Sequence, residues 1–381
     1  MSYSFRRRIL AVAMLASAAL YGQNASATNT LVVGPNTCQP GKPHYTLIQA
    51  AVNAVPNGGT VLVCPGTYLE QVLITKPLIL KGVTDGTKNA AIITVPAGGL
   101  VVNASAPTLF GPVTGQVVVQ NTSGVTVSNL TIDGTGSGCV PGAVRESGIV
   151  VYTVGNTVIS GVSVRNEVTG CLIGEGILAD SSSVTIISNQ VHDIDRTGIV
   201  IAGGVGTVEF NNVQNANFFG VSLAFANHSV VTSNTVAGLT PNPGASIAGI
   251  EVESSSNSTV SKNVLLASPS SFTIGIYLFG NASANTVTGN TVSDFELGIA
   301  LQGSGSNVVQ SNKVSQLSAD GIYEDTSLGG NNITKNTVNE AAFGIFTDSS
   351  ASGDILVPNT FFNTATTIDP NPSLVGNPQD P

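Results

Sequence analysis

A repeated pattern of apolar and polar residues runs through most of this chain. Between Gly148 and Phe346, a glycine is followed nine times by Ile or Val, then by a variable residue and usually by another aliphatic residue. Successive glycines are 22 to 29 residues apart, and an Asn flanked by aliphatic residues recurs between them. A period of this length is typical of a solenoid, because each unit can bury its apolar face only against a neighbouring unit.

The residues around each glycine separate into columns, because side chains alternate between the two faces of a strand. The residue after the glycine is always Ile or Val, which predicts a buried column stacked at about 4.8 Å. Glu324 also falls at an inward position, where an unpaired carboxylate would be costly. We therefore expect the strand to end one residue early there. The alternative is that Glu324 has a buried partner.

The recurring Asn predicts a second column. Asn tolerates left-handed turn conformations, and stacked amides can hydrogen-bond from one coil to the next. The column consists of Asn189, Asn211, Asn234, Asn263, Asn290, Asn312 and Asn336.

Three segments are expected along the chain. Residues 1–27 have the layout of a signal peptide, with Arg6–Arg8 before the apolar run Ile9–Leu20 and a small-residue cleavage site at Ala25–Ala27. Residues 28–368 form the solenoid domain, with a capping helix at 46–55, N-capped by Thr46, and regular repeats from about 125 to 350. Residues 369–381 form a flexible tail. The protein is thus expected to be exported to the periplasm, the cell surface or the medium.

Composition narrows the function classes. From Thr28 onward the chain has 22 acidic and 10 basic residues, a net charge of −12, and no basic run. Nucleic acid and anionic membrane are therefore poor partners. The four cysteines of an exported chain favour two disulfides, which we expect to be Cys38–Cys64 and Cys139–Cys171, because other pairings would tie the N-terminal cap to a distant coil.

The outward positions two and four residues after each glycine carry aromatic rings and carboxylates. Such a mixture suits sugars, which offer apolar faces for stacking and hydroxyls for hydrogen bonding. The candidate substrate-binding residues on these columns are Tyr152, Glu251, Glu253, Tyr277, Tyr323, Asp325, Phe346 and Asp348. Asp325 and Asp348 lie on adjacent coils, so their carboxylates are expected about 5 Å apart, the separation that retaining glycosidases use. The same pair could hold Ca²⁺, and a solvated acidic strip without a role is the third interpretation.

The three arginines after residue 28 lie ahead of consecutive Gly strands. Arg145, Arg165 and Arg196, stacked at the coil spacing, could each bind one carboxylate along a string of uronate sugars. Acidic residues and a histidine accompany them, and Cys139 and Cys171 bracket the region. Arg165 joins the substrate-binding candidates, and the candidate catalytic residues are Arg145, Glu146, Asp180, His192, Asp195 and Arg196. Local salt bridges that tie loops to the solenoid would explain the same residues.

The N-terminal part resembles a known family. Segments Thr46–Val52, Asn57–Val63 and Pro65–Glu70, followed by Val72–Ile74 and Leu78–Gly82, are similar to the first coil of the pectate-lyase-like superfamily. This group includes polysaccharide lyases, polygalacturonases, pectin methylesterases and NosD-like proteins. The resemblance implies an all-β fold, a right-handed parallel β-helix with a short N-terminal capping helix, whose outer sheet floors a substrate groove. It implies less about activity, because one scaffold hosts many functions.

The catalytic motifs of that superfamily are missing. The chain has no Asn-Thr-Asp strand or Gly-His-Gly of a polygalacturonase, and its outward columns have no Lys, Arg or His to act as a lyase base. Copper handling, the role linked to NosD-like proteins, would need imidazole or thioether ligands. The two Met lie at positions 1 and 14, and the three His are scattered at 44, 192 and 228.

Three functions remain as expectations. The first is an exported β-helix protein that binds carbohydrate, in particular acidic polysaccharide, through the Gly strands and the adjacent loops. The second is a polysaccharide lyase or glycoside hydrolase acting on an acidic glycan. The third is a structural or adhesive solenoid without catalysis. None of the three requires a cofactor, apart from the Ca²⁺ considered above.

Overall fold

The computed structural model describes residues 29–86, 89–109, 111–239, 247–267, 273–348 and 350–369. Nearly all of this part is β-structure wound into a right-handed parallel β-helix, which confirms the expected fold. The predicted signal peptide and all but the first residue of the predicted tail lie outside the described residues. In the described part, no helix is both long enough and apolar enough to cross a membrane.

Three ladders of parallel strands form the faces of the solenoid. The first ladder runs, in spatial order, through His44–Tyr45, Thr30–Val33, Gly59–Val63, Leu78–Gly82, Thr126–Ser128, Thr157–Ser160, Ser183–Ile187, Val205–Glu209, Val230–Thr232, Thr259–Ser261, Thr286–Thr288, Val308–Gln310 and Asn332–Thr334. The second ladder contains Gly66–Leu69, Ala91–Thr94, Thr131–Asp133, Ser163–Glu167, Gln190–Ile194, Asn212–Ala216, Thr235–Leu239, Val264–Ala267, Thr291–Ser293 and Lys313–Ser315. The third, here called the Gly ladder, contains Val72–Ile74, Gly111–Gln120, Arg145–Tyr152, Gly174–Asp180, Thr197–Ala202, Phe219–Ala224, Ile247–Glu253, Thr273–Phe279, Leu297–Gln302 and Asp320–Asp325.

The last two strands are longer and cross two faces. Thr337–Thr347 pairs with the second ladder through its first half and with the Gly ladder through its second half. Thr360–Asp369 pairs with it along its length. A single described helix, Ile48–Ala54, covers the N-terminal end of the core.

The register of the Gly ladder confirms the predicted core column. Ile149 pairs with Ile177, Ile177 with Ile199, and the series continues down to Ile345. All its members are fully buried. Glycine is needed beside this column because the strands turn a tight corner there. A Cβ on Gly198 would lie 2.4 Å from Cγ1 of Val213 and 2.7 Å from the Gly220 carbonyl oxygen.

The Asn column is a continuous chain of buried hydrogen bonds. From Asn211 onward, each Asn Oδ1 accepts bonds from the backbone N–H and the Nδ2 of the preceding Asn, as in the Asn234–Asn263 pair at 2.9 and 3.0 Å. The interpretation of these residues as left-handed turns was wrong: positive φ belongs to the residue just before, such as Ser188 at 56° and Ser233 at 56°. The amide stacking was predicted correctly.

A second, shorter amide ladder was not predicted. It joins Asn285, Asn307 and Asn331, with Oδ1 acceptors at 2.9 to 3.2 Å. Its members lie five residues before Asn290, Asn312 and Asn336, and this constant offset was the available sequence signal.

Glu324 also differs from the prediction. The strand Asp320–Asp325 continues through it, and its side chain is fully buried inside the solenoid. The expected early strand end was therefore wrong, and the alternative of a buried partner holds. Its Oε1 accepts hydrogen bonds from Asn331 Nδ2 at 2.6 Å and Ser327 Oγ at 2.9 Å. Burial, together with the neighbouring carboxyl of Asp354, raises the pKa of Glu324 to about 8.

The N-terminal cap is built differently from the prediction. The helix begins at Ile48, and Leu47 rather than Thr46 occupies the N-cap position, without a side-chain hydrogen bond. The carboxylate of Glu70 replaces that cap, accepting from the backbone N–H of Ile48 at 2.8 Å and of Gln49 at 3.0 Å. A negative charge at a helix N-terminus satisfies free N–H groups and the helix dipole together.

Both expected disulfides are present, Cys38–Cys64 at the cap and Cys139–Cys171 between two coils. The second one braces loops that lead into the Gly ladder.

A strap formed by residues 104–109 and 111–113 lies across the outside of the first Gly strands. Its short strand Ala104–Ala106 pairs antiparallel with the start of Gly111–Gln120. Val113 and Ala106 pack with Val150 and Leu178, so these outward positions are buried under the strap. The sequence-based expectation that this part of the outward column is exposed was wrong, because residues that look like a loop in sequence cover it.

We expect Asn263→Ala to lower the free energy of unfolding by about 2–4 kcal/mol. The substitution removes Oδ1, which accepts from Asn234, and Nδ2, which donates to Val231 O and Asn290 Oδ1. The groups left without these partners are buried. Urea unfolding followed by circular dichroism measures the loss, with the exposed amide Gln214→Ala as control. Equal stability of the two variants would contradict a structural role for the ladder.

We also expect stability to depend on the proton of Glu324. Its folded-state pKa of about 8 exceeds the ordinary value of 4.5, so the unfolded chain loses this proton first as pH rises. The resulting stability is fully present below about pH 4.5 and is lost as pH rises through about 8. Glu324→Gln keeps the acceptor for Asn331 without this titration. The free energy of unfolding of Glu324→Gln minus that of the unsubstituted protein should therefore rise between pH 5 and 8.5. A difference that stays constant with pH would contradict the pKa assigned to Glu324.

Candidate functional site

The predicted arginine cluster is only partly assembled. Arg145 and Arg196 converge on one carboxylate, that of Glu175, with Nε to Oε1 distances of 3.0 and 3.5 Å. Arg165 points elsewhere: it lies on the second ladder and pairs with Asp133 at 2.9 Å. The expected row of three stacked guanidiniums is therefore wrong, because Arg165 belongs to the strand Ser163–Glu167 of the second ladder, which forms a different face of the solenoid from the Gly ladder.

His192 accompanies Arg165 on that other face. The two residues are register partners on the second ladder, and His192 Nδ1 lies 2.7 Å from Asp193 Oδ2. The structure thus separates His192 from the Gly ladder. A role as acid or base beside Arg196 would require His192 to lie on that ladder.

Asp180 and Tyr152 lie under or beside the strap. Asp180 is fully buried and accepts hydrogen bonds from the Thr108 backbone N–H at 3.1 Å and its Oγ1 at 2.7 Å. Tyr152 packs against the apolar cluster beneath the strap. Asp180 therefore anchors the strap to the solenoid.

Asp195 and Glu146 hold loops as well. Asp195 is buried and accepts bonds from Thr169 N at 2.8 Å and Gly174 N at 2.6 Å, which shapes the turn that contains Cys171. Glu146 is fully buried and accepts from Val140 N at 2.5 Å. These two side chains satisfy backbone N–H groups of the loops that lead into the Gly ladder.

An open cleft lies where the strap ends. Its volume is about 290 Å³, and its lining combines ionisable, aromatic and small side chains: Leu109, Glu175, Arg196, Thr197, Val200, Phe218, Phe219, Ser222, Ala224, Glu251 and Glu253. Glu175, Phe219 and Thr197 lie one residue before their glycines, and Ser222 and Glu251 lie two residues after theirs. Since the glycine itself sits at the corner, both positions face outward. We call this the Arg196 cleft.

Arg196 is held by two contacts in the cleft. Its guanidinium lies over the ring of Phe218, 4.4 Å from the ring centroid, and its Nε faces Glu175. Cation–π and ionic contacts fix a long side chain that would otherwise be mobile. Among the described residues, the Nη groups have no hydrogen-bond acceptor, and they remain available to a bound anion.

The acids of the cleft have unusual proton affinities. Burial raises the pKa of Glu175 to about 7, although Arg145 and Arg196 oppose the shift. Burial raises the pKa of Glu251 to about 8, with Glu253 and Glu175 adding to the rise while Ser222 and Arg196 act against it. Ser222 Oγ lies 2.5 Å from Glu251 Oε2. Buried carboxyls with strongly shifted pKa values in a cleft are typical of functional sites.

An aromatic strip continues from the cleft down the Gly ladder. Tyr277 stacks on Phe279 with ring centroids 4.6 Å apart, and Tyr323 stacks on Phe346 at 5.4 Å. These rings are half-buried, so one face of the strip is open to solvent. The expected exposed aromatic rings are thus found in the C-terminal half of the ladder.

Polar groups border this strip. The Tyr277 hydroxyl donates to Gln302, whose Nε2 lies 3.4 Å from Asp325 Oδ2. Asp325 stands beside Asp348, which accepts from Thr326 N at 3.0 Å. Slight burial acts to raise the pKa of Asp348, but hydrogen bonds from Ser350 and Thr326 outweigh it and lower the pKa.

Within the described residues, no three His, Cys, Asp or Glu side chains converge in a way that could hold a metal ion. A Ca²⁺ ion at Asp325 and Asp348 stays a prediction, and it would need further oxygen ligands from the backbone, water or a bound glycan.

Sequence reasoning did not single out Phe218 or Phe219, and it did not make Glu175 or Ser222 a site candidate, although Glu175 is one of the acidic residues that accompany the arginines. Ser222 was in the outward column but carries no distinctive chemistry by itself. Glu175 and Phe219 share the position before the glycine, a column that could have been followed in the same way. Phe218 became recognisable only through its contact with Arg196.

Two family models match the sequence. Residues 244–377 match "Periplasmic copper-binding protein (NosD)", and residues 115–265 and 175–296 match "Right handed beta helix region". The stretch 244–377 contains no His, Cys or Met, the side chains that copper sites favour. No curated protein matches the chain.

Solved structures of low sequence identity share the fold. The A-module of the mannuronan C-5 epimerase AlgE4 from Azotobacter vinelandii is 18% identical, with a TM-score of 0.68 over 84% of this chain and 92% of that one. DFA-IIIase from Arthrobacter chlorophenolicus A6, in complex with DFA-III, is 15% identical, with a TM-score of 0.56 over 87% and 98%. PfbA, a surface adhesin of Streptococcus pneumoniae, is 13% identical, with a TM-score of 0.51 over 84% and 87%.

At these identities, the neighbours bear on architecture alone. Together with the repeat matches and the three ladders, they confirm the resemblance to the pectate-lyase-like superfamily at the level of fold. The chain is a right-handed parallel β-helix repeat protein.

Proposed function

We propose that this protein is an exported β-helix protein that binds polysaccharide along its Gly ladder, with the Arg196 cleft as the subsite for an acidic sugar. The observation that carries the proposal is the Arg196 guanidinium, positioned by Glu175 and Phe218, with its Nη groups directed to no described acceptor. A planar guanidinium of this kind matches a carboxylate with two parallel hydrogen bonds.

The aromatic strip supports a chain-like ligand. The rings of Tyr277, Tyr323 and Phe346 follow one column of the same ladder as the cleft. Parallel strands repeat at about 4.8 Å, so the strip extends the binding surface in the direction of the solenoid axis. A polymer that stacks on the strip could thus place one residue in the cleft.

The structural neighbours agree with a carbohydrate ligand. The epimerase is named for mannuronan, and the DFA-IIIase structure contains DFA-III. Each uses a β-helix of similar size, and we extend the general class of ligand, though neither specific molecule, to this chain.

Export is supported by the two disulfides, which form and persist in oxidising compartments. It is supported as well by the sequence of the first 27 residues, and the NosD match is to a family described as periplasmic.

A non-catalytic adhesive role is the second candidate. The similarity to the surface adhesin PfbA favours it, as do the long amide ladders, which stabilise an elongated surface. In that case the protein would contact a partner over its whole length, and substitution within the cleft would have little effect.

We expect Arg196→Ala to weaken retention on acidic polysaccharide by about tenfold or more, the loss of one charge-assisted contact. Glu175 stays paired with Arg145 in this variant, so the buried carboxylate is not left alone. Affinity electrophoresis with uronate-containing glycans and matched neutral glycans measures the effect.

Arg165→Ala is the matched control, because it removes an arginine of the same chain from a different face. It should leave retention unchanged. Failure to bind any acidic glycan would reject the proposed function, and equal losses in both variants would reject the cleft as the binding subsite.

A further inference from the structure

Two glutamates face the Arg196 cleft from a single strand. Glu251 and Glu253 lie two residues apart on Ile247–Glu253, so their side chains point to the same side of the sheet. At a rise of about 3.3 Å per residue, their attachment points are about 7 Å apart. Both side chains line the cleft beside Arg196 and Phe218.

The two glutamates have different surroundings. Glu251 is only 5% exposed, and its neighbours on the ladder are Ser222 and Tyr277. Its Oε2 contacts the Ser222 hydroxyl, while Oε1 accepts no hydrogen bond within the described part of the chain. Glu253 is half-buried at the end of the strand, next to the open mouth of the cleft.

These surroundings raise the pKa values of the two carboxyls for the same reason but bury the two groups to different extents. The charged and titratable groups that face Glu251 are Glu253, Arg196, Glu175 and Tyr277, and burial dominates their combined effect, so its pKa is about 8. Burial also raises the pKa of Glu253, but that residue is far more accessible to water. Two carboxyls whose environments separate their proton affinities are suited to act as acid and base.

We propose that Glu251 and Glu253 are the acid and the base of an inverting glycoside hydrolase centre in the Arg196 cleft. This inference rests on the proposed function, because it requires a glycan in the cleft. With attachment points about 7 Å apart, the two side chains can hold their carboxyl groups about 6.5–9.5 Å apart, the separation that leaves room for a water molecule beside the sugar in inverting enzymes.

The reaction requires water and no other co-reactant. The Glu253 carboxylate takes a proton from water as the water oxygen bonds to the anomeric carbon. Glu251 gives its proton to the glycosidic oxygen as the bond from that oxygen to the anomeric carbon breaks. The products are two shorter glycans, one with a new hemiacetal of inverted configuration. Glu251 is left ionised and Glu253 protonated, and exchange with solvent restores both.

The arginines and Glu175 have a separate part in this arrangement. Arg196 binds the carboxylate of the sugar, and Glu175 is a positioning residue because it contacts the guanidinium rather than the reacting bond. With two arginines beside it at 3.0 and 3.5 Å, Glu175 is not free to take part in proton transfer.

The experiment uses the mature full-length protein and the acidic glycan that it retains most strongly. New reducing ends report cleavage, ultraviolet absorbance reports unsaturated uronate, and proton NMR of the first product reports the anomeric configuration. We expect new reducing ends, no unsaturated product, and inversion at the anomeric centre. We also expect a bell-shaped pH profile for kcat/KM, whose alkaline limb lies near the pKa of Glu251.

Substitutions separate chemistry from binding. Glu251→Gln and Glu253→Gln preserve size, and each should lower the rate of cleavage by about 100-fold or more while retention of the glycan stays within a factor of a few. In Glu251→Gln the alkaline limb should disappear from the residual activity. Glu209→Gln is the matched control, a glutamate on the first ladder, and it should keep full activity.

Each contrary outcome has a distinct meaning. Retention without new reducing ends overturns the hydrolase centre and leaves the binding function intact. Unsaturated product, retained configuration, or full activity of Glu251→Gln also overturns it. Absence of retention on every acidic glycan rejects the proposed function itself, and this inference with it.

Discussion

Contacts between successive coils support every other feature of this molecule. The backbone of each coil hydrogen-bonds to the coils on both sides, and its Ile or Val stacks on the Ile or Val of the next coil. Its Asn side chain hydrogen-bonds to the Asn of the next coil. A buried amide is favourable only when all its partners are present. The Asn column therefore stabilises the parallel register against slippage, and with it the position of every outward side chain.

Because the register is fixed, the outward side chains form a regular two-dimensional array. Side chains repeat about every 4.8 Å between coils and on alternate residues along a strand. The strap covers one end of the Gly ladder, while the aromatic strip is open at the other. The Arg196 cleft lies between them, where the strap ends and side chains from four successive coils meet. The location of the cleft therefore depends on the length of the strap as well as on the repeats.

Charge around Arg196 is more balanced than in the molecule as a whole. The chain as a whole is acidic, with a net charge of −9 for the full sequence, and a polyanion would be repelled at long range. Arg145 and Arg196 flank Glu175 at this site, and burial raises the pKa of Glu251 to about 8. Attraction for an anion is thus confined to the surroundings of Arg196, where partial burial makes electrostatic contacts stronger than on the open surface.

The sequence by itself determined the β-helix, the Ile column, the Asn ladder and both disulfides, because these depend on periodicity and on distances along the chain. It named Arg196, Glu251 and Glu253 without indicating that they meet. Only the tertiary structure decided that Arg165 and His192 lie on another face, that Asp180 is buried under the strap, and that Glu324 has buried partners. Repeats specify contacts between neighbouring coils, whereas the paths of loops depend on packing between residues far apart in sequence, for which no periodic signal exists.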